Sequence, residues 1–245
     1  MVEIDKLMTT ILHTKKIAVA TGVKLHGYFD MQVRARVSAH SLLRSGSMGT
    51  FSFAQERCEL QNCTIGRYCS IDTNVSFAVE NHPGNWLTSS PILCDRLFGD
   101  FSDDPPPYDF ANSDRIHVGH DVWIGRNVTI MPGVRIGTGA IISPNSVVTS
   151  NVEPYSMCAG TPACHKQYRF TATVIDLLLD TPWYNFDIPK WNQSASMPDL
   201  REMNENTART LRDAVRSGDG PLLKDKTYRF SETANGALRL SKRIP

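Results

Sequence analysis

The chain has 245 residues, 41% of them hydrophobic and 21% charged, and its 26 basic and 25 acidic side chains leave a net charge of +1. That describes one folded domain with appendages, large enough to bury a core without disulfides or a metal. The even charge excludes the basic excess of a nucleic-acid binder, and no apolar stretch approaches the roughly 18 residues that a membrane span needs.

The first predicted element is a helix over Ile4–Thr14. Glu3, Asp5 and Lys6 interrupt its apolar residues, so the segment lacks the apolar core of a signal peptide. Alternation follows in Val33-Arg34-Ala35-Arg36-Val37, which reads as strand. Residues 1–57 are therefore taken as an N-terminal helix and irregular strands leading into the main fold. From residue 58 the pattern changes to hexads, with Ile65, Ile71 and Phe77 six apart and Cys63, Cys69 and Val75 two residues before them. Residues 78–115 are rich in proline and aromatics and have no period, which predicts a long functional loop. The hexads resume with Val118, Ile124, Ile130, Ile136, Ile142 and Val148, each again preceded at minus two by an apolar or small residue. From Phe77 to Val118 the step is 41, one short of a multiple of six, so the loop interrupts the repeat. Beyond residue 170 the chain predicts a helix over Thr171–Asp180 and a second over Pro198–Ser217, ended by Gly218-Asp219-Gly220-Pro221, so that residues 171–245 form a helical extension.

A period of six is not that of a helix. Two apolar residues at i and i+2 share one face of a short strand, and the Gly, Asn, Asp, Pro and Thr between them turn the chain. One short strand and one turn, three times over, make one coil of a triangular solenoid. A coil cannot bury its face alone, so coils must stack. The six cysteines, at 58, 63, 69, 94, 158 and 164, form no CxxC pair and read as free thiols, with Cys63 and Cys69 as inward packing residues.

These hexads resemble the repeat of hexapeptide acyltransferases. The similar segments are His120-Asp121-Val122-Trp123-Ile124-Gly125, Met131-Pro132-Gly133-Val134, Ser146-Val147-Val148-Thr149 and Ala159-Gly160-Thr161-Pro162-Ala163. Ile65-Gly66-Arg67-Tyr68-Cys69-Ser70-Ile71, Asn81-His82-Pro83 and Trp86-Leu87-Thr88-Ser89-Ser90-Pro91 narrow the likeness to the xenobiotic acetyltransferase branch, which includes enzymes of the chloramphenicol and streptogramin A type and polysaccharide O-acetyltransferases. The chain departs from that pattern at Thr161, where the family has Asn, and at Ser150, often Lys. The resemblance covers roughly residues 58–188 and has no counterpart for 190–245. It implies an all-β solenoid, a left-handed parallel β-helix over 58–170, which is an exception to the right-handed crossover rule. It also implies direct transfer of an acetyl group from acetyl-CoA and a homotrimer with active sites between subunits.

The same resemblance carries the site residues. His82 is the expected general base, since a hydroxyl is a poor nucleophile while neutral and imidazole titrates near neutrality. Trp86, Thr88 and Ser89 are expected at the acceptor. Trp123, Ser143, Thr149, Ala159 and Pro162 are expected along the pantetheine arm, and Lys166 and Arg169 at the phosphates of the nucleotide end. Cys94, in the same loop, is weighed as a thiol nucleophile and set below His82. His117 and His120 lie three apart with no carboxylate at ligand spacing, so no metal is expected. The reading is a cytoplasmic O-acetyltransferase acting on a sugar or polysaccharide precursor. An antibiotic acetyltransferase and a non-catalytic β-helix scaffold are the alternatives.

Overall fold

A computed structural model describes residues 1–77, 85–90, 114–193 and 199–243. The hexads form a three-faced parallel β-solenoid, and its rungs begin well before residue 58. On one face, strands Ala18–Val19, Arg36–Val37, Phe53–Ala54, Ser70–Ile71, Trp123–Ile124, Ile141–Ile142 and Ser156–Gly160 pair in parallel order. A second face stacks Leu42–Leu43, Leu60, Ser76–Phe77, Thr129–Ile130 and Val147–Val148. The third stacks Phe29–Met31, Ser47–Met48, Cys63–Ile65, Ile116–Val118 and Arg135–Ile136. The strand Leu42–Met48 runs across two faces.

Each inward aliphatic, from Val19 through Ile71, Ile124 and Ile142, is buried, and so is the residue two before it. At full burial each such side chain contributes about 1.5–3 kcal/mol. The corners need left-handed backbone, and asparagine tolerates it. Asn74, Asn127 and Asn145 have φ of 62°, 59° and 60° and stack, each side-chain amide donating to the next carbonyl oxygen at 2.9 Å. Gly66 is required for another reason. A Cβ there would lie 2.2 Å from the carbonyl oxygen of Gly119 in the coil above.

The insertion between Phe77 and Val118 leaves the register intact. Phe77 pairs with Ile130 and Ile116 with Cys63, so coils stack directly across the break. The alternation over Val33–Val37 is not one strand. The long strand Lys24–Gln32 ends there, Arg34 turns the chain with φ of 66°, and Arg36–Val37 starts the next face.

The N-terminal helix runs over Lys6–Thr14, capped by the Asp5 carboxylate accepting from the Met8 N–H at 2.7 Å. Beyond the last coil, Ala163–Tyr168 folds back antiparallel on Ser156–Gly160. Helices Ala172–Leu179 and Glu205–Ser217 pack against Tyr155 and Trp191 as a second core. Thus the second predicted helix starts at Glu205 within the described residues, with Asn204 as its cap. The extension is also not wholly helical. Thr227–Glu232 and Leu238–Arg243 form a hairpin that adds antiparallel to Lys24–Gln32, with Phe230 opposite Phe29. No helix of the described residues is long and apolar enough to cross a membrane.

Candidate active site

Three corners of the solenoid matter. The first carries the excursion, leaving after Phe77 and returning at Arg115–Ile116. His82 and Cys94 lie outside the described residues. Of the excursion, 85–90 are described, with the Ser90 N–H donating to Thr88 Oγ1 at 3.1 Å; Trp86 is half-buried and Ser89 exposed. On the face that receives the returning chain, Thr64 Oγ1 lies 2.8 Å from His117 Nδ1. Burial, then Arg135 and Arg115, holds the His117 imidazole below its usual range. The Arg115 guanidinium reaches the Cys63 carbonyl and the Tyr28 hydroxyl at 3.5 Å. Cys58 is buried and its thiol pushed up to about 11, Cys63 and Cys69 to about 12, so all three stay protonated packing groups.

The second corner holds Ser143, Ala159 and Pro162. The Ser143 N–H donates to Cys158 O at 2.9 Å, and the Gly160 N–H to Ser146 Oγ at 3.1 Å. The Thr161–Pro162 peptide is cis. Lys166 is exposed on the returning strand beside it, among Ala163–Tyr168. Trp123 stands on the adjoining face at 43% exposure, in register with Ser70 and Ile141. Thr149 is exposed one corner further on, after Val147–Val148.

The third corner takes Arg169. Its guanidinium donates to Asp121 Oδ2 at 2.9 Å and to Gly139 O at 2.7 Å, and lies over the rings of Phe170 and Tyr155. The predicted set is therefore divided. Ser143, Ala159 and Pro162 share one corner, with Trp123 on the face leading to it and Lys166 further along the returning strand, opposite Met157 and Cys158, while Thr149 and Arg169 belong to the other two.

A network that sequence reasoning did not find straps the extension over the third corner. Arg67 donates to Asn185 and forms an ion pair with Asp225; Arg34 pairs with Asp187 at 2.6 Å. The Tyr68 hydroxyl donates to Phe186 O at 2.6 Å and accepts from the Ile188 N–H. His120 stacks on Tyr184 at 3.7 Å between centroids and accepts from the Arg67 N–H at its Nδ1. Burial and then the Arg67 charge hold its pKa at about 4, so it is a neutral packing histidine. Most partners are over 100 residues apart, and no spacing could have signalled them. Among the described residues no three His, Cys, Asp or Glu side chains gather as a metal site.

Fold and hexads define a hexapeptide-repeat transferase. The family model for bacterial transferase hexapeptide (six repeats) matches residues 115–150. A chloramphenicol acetyltransferase of Klebsiella aerogenes is 34% identical over 157 residues, which is 61% of this chain and 70% of that protein. A provisionally named lipopolysaccharide biosynthesis O-acetyl transferase of Escherichia coli K12 is 33% identical over 104 residues, 42% of this chain and 49% of that one. In fold, the chain is similar to the Bacillus cereus N-acyltransferase AntD, crystallised with dTDP-4-amino-4,6-dideoxyglucose and coenzyme A. The TM-score is 0.52 at 13% identity, covering 73% of this chain and 96% of that one. The chain belongs to the hexapeptide-repeat acetyltransferases, in the branch that contains the chloramphenicol acetyltransferases.

Proposed function

We propose that this acetyltransferase moves an acetyl group from acetyl-CoA to a hydroxyl of a sugar or polysaccharide precursor, with His82 as general base. The observation that carries the reading is the placement of one long insertion between two coils that still stack in register. A rigid solenoid bearing one excursion is a scaffold that holds an acceptor loop without deforming the core. The His82 imidazole takes the hydroxyl proton as the oxygen attacks the thioester carbonyl. The tetrahedral intermediate collapses, the C–S bond breaks, and the CoA sulfur leaves with a proton returned by the imidazolium. The arm of CoA lies along the corner of Ser143, Ala159 and Pro162, with Trp123 beside it and Thr149 beyond, and Lys166 meets a phosphate. Trp86, Thr88 and Ser89 face the acceptor. Arg169, its guanidinium engaged by Asp121 and Gly139, serves by holding the last coil. The working form is a cytoplasmic homotrimer, in which the half-exposed Trp123 is covered by a neighbouring subunit; a monomer mass by light scattering at micromolar concentration refutes that part.

Support for the sugar acceptor comes from the relative named for lipopolysaccharide biosynthesis. An antibiotic acceptor has its own observation, the longer match to a chloramphenicol acetyltransferase. Thiol release from acetyl-CoA, measured over a panel of nucleotide sugars, oligosaccharides and hydroxylated antibiotics, separates the two. In the same assay His82→Ala is expected to lower kcat by about 10²–10⁴ with acetyl-CoA affinity unchanged, and Cys94→Ala to be silent. Full activity in His82→Ala with a dead, folded Cys94→Ala would move the reaction to an acyl-thioester intermediate.

A further inference from the structure

A groove of about 850 Å³ lies between the N-terminal helix, the third corner of the solenoid at Val33–Arg34 and the segment 221–228. Its walls carry six cations, Lys15, Lys16, Arg34, Lys190, Lys224 and Lys226, against two carboxylates, Asp187 and Asp225. The local excess is thus four positive charges, in a chain whose total is +1. Both carboxylates are already engaged, Asp187 by Arg34 and Asp225 by Arg67 and the Thr50 hydroxyl. Among the described residues none of the five lysines has a carboxylate within 4.0 Å. Gathering five uncompensated ammonium groups costs mutual repulsion that water and salt only screen.

The groove is built before any ligand arrives. The Arg34 N–H donates to Lys16 O at 2.5 Å and the Val33 N–H to Lys226 O at 3.1 Å. The Asp187 N–H donates to Pro221 O and the Leu223 N–H to Asn185 O, both at 2.8 Å. These bonds tie together the four segments that bear the cations. Between the cations lie apolar surface from Val33 and Leu223 and the half-buried ring of Tyr228. Concentrated point charges suit phosphate oxygens, and a volume in this range suits a ligand of small-molecule size. Outside the groove the chain holds 20 basic against 23 acidic side chains, so no net positive charge is left over for a polymer track.

We propose that this groove binds the diphosphate of a ring-bearing phosphate ester, a nucleoside or sugar diphosphate, at a site distinct from the donor corner. The lysines bridge the phosphate oxygens, and Tyr228 with its apolar neighbours receives the ring. The proposal stands on the groove alone and does not depend on which acceptor is acetylated.

Isothermal titration of the full chain with inorganic pyrophosphate and with uridine diphosphate, at about 50 mM salt and saturating CoA, tests it. One site per chain is expected for each probe, with uridine at least tenfold weaker than its diphosphate. Replacing Lys15, Lys16, Lys224 and Lys226 together by Gln is expected to weaken both diphosphates by about tenfold or more while circular dichroism and CoA affinity hold. Absence of binding in the parent, or equal binding by the variant, overturns the proposal. Displacement of the probe by CoA, mole for mole, also overturns it, because the anion then occupies the donor site. Lysine-dependent sedimentation with phosphatidylglycerol vesicles, without affinity for either free diphosphate, would assign the groove to a membrane surface instead.

Discussion

Replacing Arg169 by Met separates a structural role for that residue from a ligand-binding one. The guanidinium makes two charge-assisted hydrogen bonds, to Asp121 Oδ2 at 2.9 Å and to Gly139 O at 2.7 Å. Bonds to charged groups contribute about 1.5–3 kcal/mol each. The two share one donor nitrogen, and the side chains keep 24% and 31% of their surface in solvent, so the terms do not add and screening reduces them. The expected loss is about 2–3 kcal/mol, or about 4–12 °C in Tm for a chain of this size. Burial raises the Asp121 carboxyl above its ordinary 3.8, and Arg169 opposes that rise. With Arg169 gone the folded-state pKa climbs further. A raised carboxyl contributes stability at low pH that is lost as the pH rises through the folded value. The deficit of Arg169→Met is therefore largest at neutral pH and shrinks toward pH 3.8, and Asp121→Asn placed on top of it restores part of the loss. Urea unfolding of the two single variants and the double variant, at pH 7 and near 4.5, reads all of this. An unchanged Tm in Arg169→Met together with a raised KM for acetyl-CoA would refute the reasoning and return the guanidinium to the cofactor.

Three further outcomes are expected. Ile130→Asp buries an unpaired charge in a fully closed core and abolishes the folded β-spectrum in circular dichroism. Gly66→Ala forces a methyl to within 2.2 Å of the Gly119 carbonyl, where only backbone can give way, and costs about 1–3 kcal/mol or more in urea unfolding. His120, held at about 4, is expected in NMR titration as an imidazole that stays neutral in mild acid. Because the unfolded chain takes up that proton first, near 6.5, stability falls as the pH drops from 6.5 to about 4.

The downstream coils were legible because one inward position of every hexad, from Val118 to Val148, is a β-branched aliphatic at a strict step of six. Upstream the same architecture is disguised. The inward residues step by five from Leu43 to Met48 and from Leu60 to Ile65, and several are small or polar. Ser52 is one of them, accepted into the core because its hydroxyl donates to Gly66 O at 2.7 Å and accepts from the Cys69 N–H. Such a position offers no hydrophobic signal, so the strict period of six is visible only from residue 58, forty residues after the first rung. Of the candidate site, Ser143, Ala159 and Pro162 were expected from the family resemblance alone, and the repeat contributes only the stacking that sets Ser143 beside Ala159. The partners of Arg169 did not, because Asp121 lies 48 residues away and only folding brings the pair together. The hairpin was equally hidden, since Thr227–Glu232 finds its hydrogen-bond partners about 200 residues upstream.

That hairpin bears on how the chain is made. Strand Lys24–Gln32 emerges from the ribosome early, and one of its edges stays bare until Thr227–Glu232 arrives, roughly 200 residues later. At about 5–20 residues per second that interval is ten seconds or more. A growing solenoid can recruit each new coil as it appears, but its first coil must wait, with unpaired amides and carbonyls of the kind that pair with stray strands. Cover for that edge during synthesis is therefore a requirement separate from the strength of the finished fold.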